Sequence, residues 1–135
     1  MCLSKLSNYN DWTFFVLRLI VGAVFIYHGH QKWGMFAAAP EQMSPTMLSI
    51  FRLLAIAEPL AGLALIIGMG TRAAAIGLAL VMLSAIYFKA VLNGGGFAGQ
   101  GGFEFDLVLL GASLVLATYG AGKVSLDESK CCSKK

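Results

Sequence analysis

Four apolar runs, at residues 12–31, 47–69, 72–92 and 103–119, occupy most of this 135-residue chain and constrain its fold more than any short motif does. Crossing the ~30 Å hydrocarbon layer of a bilayer takes ~20 helical residues. In lipid, a backbone must satisfy its own polar groups, which a helix does and an open strand does not. The chain is 58% hydrophobic and only 13% charged, a balance typical of membrane proteins. The sequence therefore predicts an all-α fold, an integral membrane four-transmembrane-helix bundle. It forms one domain over residues 1–135 with a tail over residues 120–135. Nothing is left over for a soluble catalytic domain, and no self-contained catalytic site is assigned.

The net charge of +3 is unevenly placed. With both termini on one side, that side carries Lys5, Arg72, Lys123, Lys130, Lys134 and Lys135, and the opposite loops carry Lys32 and Lys89. The positive-inside rule then puts both termini in the cytoplasm of a multi-pass inner-membrane protein. The basic tail suits anionic lipid. No groove-reading or base-stacking motif supports a nucleic-acid partner. The first run is too long for a secretory signal and is followed by His28, His30 and Lys32. Cys2, Cys131 and Cys132 fall on the expected cytoplasmic side and should be reduced thiols. They form no C-x-x-C, and no metal site is expected.

Pro40 and Pro45 interrupt any helix running from the first span into the second. Gly68-Met69-Gly70 makes a tight turn. Residues 93–102 are glycine-rich and contain a literal G-x-G-x-x-G at 94–99. A dinucleotide site would need a strand before that motif and an acid on a second strand, whereas here a membrane helix precedes it. The segment reads as a flexible loop. Two axial histidines must approach a haem iron from opposite faces, and His28 and His30 share one helix while pointing apart. Neither haem nor an iron–sulfur cluster is expected.

Glu58 stands beside Pro59 in the middle of the second run. A carboxylate at that depth costs roughly 3 kcal/mol on insertion scales and needs a partner or a polar cavity. Pro59 cannot donate to the carbonyl of Ala55, which leaves an acceptor free near the carboxylate. At 100° per residue, Arg18 shares a face with Gly22, Phe25, Gly29 and Lys32, with His28 flanking it and His30 pointing away. Depth and reach make Arg18 and Glu58 candidates for a structural ion pair. Glu104 and Asp106 point about 200° apart, so only one of them faces the bundle squarely. Together these faces suggest a pocket in the outer half of the membrane lined by His28, Lys32, Arg52, Glu58 and Glu104. Phe25, Phe51 and Tyr87 are candidate walls.

Several stretches in order resemble the DoxX family of small membrane proteins. They are Leu17-Arg18-Leu19, His28-Gly29 with Lys32, Glu58, the turn 68–75, Glu104 after the glycines, and the closing segment 120–127. The resemblance implies a four-helix membrane bundle and favours Glu104 over Asp106 as the inward acid. It also implies relatives linked to quinone-dependent sulfur oxidation and membrane redox complexes. The leading functional expectation is a membrane subunit of an oxidoreductase complex, binding a quinone or similar apolar redox ligand and served by an electron-donating protein partner. Alternatives are a small proton-coupled transporter acting as a homo-oligomer, with Glu58 as the proton carrier, and a non-catalytic assembly subunit.

Overall fold

The structure, a computed structural model, describes residues 10–127 apart from residues 39, 42 and 123. Cys2, Cys131, Cys132, Lys5 and the basic tail lie outside the described residues. All regular elements among those described are helical: α1 (Asn10–Gln31), the short α2 (Gly34–Ala37), α3 (Pro45–Ile67), α4 (Thr71–Tyr87) and α5 (Glu104–Tyr119). A π-helical turn, Phe88–Leu92, extends α4. The boundaries follow local chemistry. Pro45 opens α3 at its first helical position, where its missing N–H is no loss, and the Ser44 hydroxyl accepts from Met47 N. Gly68 closes the helix with φ 73°, a left-handed conformation in which a Cβ is strained.

Segments 11–37, Pro45–Ile67 and Thr71–Leu92 are each long and apolar enough to cross a membrane. The expected fourth run forms a helix of 16 residues, ~24 Å long, which falls short of the full hydrocarbon thickness.

Consecutive long helices run antiparallel, and α1 packs mainly on α3 and α4 on α5. One end of the bundle carries the connections 32–44 and 93–103, the long-loop end; the other carries the tight turn at Gly68. Glycines set the α1–α3 seam. A Cβ at Gly22 would lie 2.6 Å from the carbonyl oxygen of Gly62, and Gly29 backs onto the ring of Pro59. Such close backbone approach stands in for the hydrophobic drive that lipid cannot provide. Val21, Phe25, Leu65, Leu78, Met82, Leu109 and Leu116 fill the centre. Ile20, Leu53, Leu60, Leu80 and Val108 face outward. Arg18, Glu58, Thr71, Asp106 and Ser113 are buried, so charge lies inside and apolar surface outside, as lipid demands.

The turn end corrects one expectation. Arg18, fully buried, does not pair with Glu58. Its guanidinium donates to the carbonyl oxygens of Ala121 and Val124, which lie on the segment folding back beneath the helices after α5. The same segment carries Asp127, whose carboxylate accepts from Gly70 N at 2.7 Å and Thr71 N at 2.9 Å. These are otherwise orphan donors at the start of α4, so Asp127 caps that helix from a distant part of the chain. Its own N–H donates to Gly68 O at 2.9 Å, closing the strap onto the turn.

Candidate functional site

The polar groups toward the long-loop end come from all four long helical segments. Lys32, one turn beyond His28, places Nζ 2.5 Å from Glu58 Oε2 and donates to the His28 carbonyl at 3.2 Å. The antiparallel α1–α3 seam produces this pairing: Gly22 against Gly62 and Gly29 against Pro59 fix a register that brings the end of α1 beside residue 58. Lys89, on the π-helical turn, places Nζ 2.6 Å from Asp106 Oδ2 on the first turn of α5. Single π-turns within α-helices redirect side chains and recur at functional sites.

His28 lies within electrostatic range of all four charges, Lys32, Glu58, Asp106 and Lys89. Its ring stacks on Phe105, with centroids 5.8 Å apart and planes 18° apart. The two pairs bring two positive and two negative charges, so the cluster is balanced while the imidazole is neutral. An imidazole offers one donor and one acceptor and exchanges them readily. Beside these pairs it is suited to donate to an uncharged oxygen.

The residues expected from sequence to line one pocket do not all lie together. His28, Lys32 and Glu58 come together. Glu104 does not join them: it is exposed, and its carboxylate accepts from Gly99 N at 3.4 Å, inside the glycine-rich connection. Asp106, 4% exposed, is the inward acid. The two positions point about 200° apart, and Asp106 shares the buried face of α5 with Leu109, Leu110, Ser113 and Leu116. Arg52 also lies apart. Its Nε donates to Met35 O at 3.1 Å, and its guanidinium sits 5.8 Å from the Phe36 ring. Phe25 is core, whereas Tyr87 faces outward. His30 faces outward, as helical geometry requires, and packs against Trp33.

Lys89 is expected on the same side as Lys32, and Asp106 is one of the two acids that helical geometry leaves open; Phe105 is the member of the cluster that the sequence does not single out. Spacing alone carries no signal for a π-turn. Trp33 supplies another unforeseen contact. Its Nε1 donates at 2.9 Å to the Ala55 carbonyl, the acceptor that Pro59 leaves without a helical donor. On the outer face of this joint, Trp33, Phe36, Ala55, Ile56, Pro59 and Leu60 line an open apolar groove of about 470 Å³.

Comparison with known proteins agrees with this architecture. The chain is 32% identical over 129 residues to an uncharacterized membrane protein of Mycobacterium tuberculosis, Rv3486, the match covering 82% of this chain and 77% of that protein. No solved structure matches the chain significantly. The DoxX family profile matches residues 13–90, the portion that contains most of α1, all of α3 and α4, and the Lys32–Glu58 pair, and the chain belongs to the DoxX family.

Proposed function

We propose that the protein is a four-span inner-membrane subunit that binds the polar head of a quinone-class ligand at the His28 cluster, receiving electrons from a partner protein. The observation that carries this reading is the placement of His28 near two part-buried ion pairs with its ring face against Phe105. A quinone oxygen accepts hydrogen bonds, and each molecule reduced takes up two electrons and two protons. His28 is suited to donate to that oxygen. The Lys32–Glu58 and Lys89–Asp106 pairs are suited to resupply the proton. Phe105 provides an apolar face for a flat ring. In this reading α5 makes the fourth crossing, both termini are cytoplasmic, and the cluster lies in the outer half of the membrane. Glu58 stays in the site, while Glu104 and Arg52 leave it.

Titration of a quinone analogue into the protein in lipid nanodiscs tests the proposal. His28→Ala should weaken binding roughly tenfold or more, the size of one lost buried hydrogen bond with its desolvation. His30→Ala should leave affinity unchanged. Equal affinities for the two variants would remove His28 from the site. A second reading, an assembly subunit whose charges only lock helices, is favoured by the one-to-one matching of lysines with carboxylates. It is distinguished by joint replacement, Lys32→Met with Glu58→Leu, which would preserve function only in a structural role.

A further inference from the structure

The lipid-facing side of α3 carries an apolar groove with a cation beside it. Arg52, Ile56, Pro59 and Leu60 follow one another at helical spacing down one face of α3, and the guanidinium sits over Phe36, which lines the apolar groove with Trp33. From Arg52 to Leu60 the groove wall runs ~12 Å along the helix. Arg52 lies ~10 Å in from the start of α3, within reach of the headgroup layer for a snorkelling side chain. Its Nε is held by Met35 O and its plane by Phe36. The two Nη groups have no hydrogen-bond or ion-pair partner among the described residues.

We propose that this groove binds one anionic phospholipid, with its phosphate on the Arg52 Nη groups and one acyl chain lying along Ile56, Pro59 and Leu60. Charge complementarity selects the occupant. Lys32 and Lys89 are each matched by a buried carboxylate, but Arg52 has no acid among the described residues, and a cation near the bilayer edge calls for a counter-charge. A guanidinium fork fits phosphate in a bidentate manner. Held at Nε and stacked on Phe36, the fork is already oriented, which lowers the ordering cost of binding. A lipid seated here would cover Trp33 and the bond it makes to Ala55, at the joint where α1 meets α3 beside Glu58.

Native mass spectrometry of the full chain, released from nanodiscs containing equal phosphatidylglycerol and phosphatidylcholine, provides the test. The wild-type protein should retain one phosphatidylglycerol in preference to phosphatidylcholine. Arg52→Gln should reduce that retention by roughly tenfold or more. Because Arg52 also holds Met35, Leu60→Trp serves as an independent probe. It leaves the guanidinium and α2 untouched, fills the apolar trough and should lower retention as well. Equal retention of the two lipids by wild type, undiminished phosphatidylglycerol in Arg52→Gln, or unchanged retention in Leu60→Trp would each overturn the proposal.

Discussion

Glu58 is 3% exposed and its partner Lys32 17%, so the two members of the pair are unequally trapped. Removing Lys32 strands a carboxylate with no other salt-bridge partner among the described residues. Removing Glu58 strands an ammonium whose flexible stem already reaches toward the surface. Breaking a buried pair costs about 3–5 kcal/mol; Lys32→Met should fall near the top of that range and Glu58→Gln nearer the bottom. Unfolding in mixed micelles would measure both. The double variant Lys32→Met with Glu58→Leu should recover much of the loss, and equal costs for the single variants would show that exposure does not govern the pair. Arg18 and Glu58, which do not meet, should couple by less than ~0.5 kcal/mol in a double-mutant cycle. Sequence shows that Glu58 needs a partner, but reach alone leaves Arg18 and Lys32 both admissible. The choice depends on α1–α3 register, which is set by glycine contacts and not by the charges.

The seam between α1 and α3 makes a prediction at the scale of an element. A methyl at Gly62 would lie 2.6 Å from the Gly22 carbonyl oxygen, a backbone atom that cannot rotate away. Gly62→Ala should therefore force the helices apart and destabilise the bundle by about 1–3 kcal/mol, as overpacking generally does. A methyl at Gly77 on α4 would meet no neighbouring atom within 4 Å, so Gly77→Ala should be neutral or slightly stabilising. Thermal unfolding of the two variants side by side tests the contact, and equal loss would assign the effect to glycine itself. The joint at Pro59 is half legible in the sequence: the freed Ala55 carbonyl follows from proline chemistry, but the Trp33 donor comes from beyond the end of the neighbouring helix. Trp33→Phe keeps an aromatic ring and removes only the indole N–H, for an expected loss of about 1 kcal/mol. The π-turn that presents Lys89 is not legible, since the extra backbone residue leaves no mark in an apolar run. Helical geometry leaves Glu104 and Asp106 both open, family resemblance points to Glu104, and the face of α5 that packs into the core carries Asp106.

For the whole molecule, the strap beneath the turn end makes topology a structural matter as well as one of charge. Arg18, less than halfway along α1, holds the carbonyls of Ala121 and Val124, and Asp127 caps α4 at Gly70 and Thr71. The beginning of α1 and the segment after α5 therefore share one end of the bundle. Cys2 and the Cys131-Cys132 pair extend the chain from these two ends. In the proposed orientation, which follows the positive-inside rule, that end faces the cytoplasm. A membrane-impermeant thiol reagent applied to intact cells should thus label none of the native cysteines and label them once the membrane is permeabilised. Asn93→Cys, in the exposed connection at the long-loop end, should be labelled from outside without permeabilisation. Labelling of the tail but not of position 93 would invert the orientation while keeping the fold. Labelling of Cys2 and the tail from opposite sides would be the more damaging result. An odd number of crossings cannot accommodate a strap that ties the end of the chain to Arg18, so that outcome would reject α5 as a membrane span.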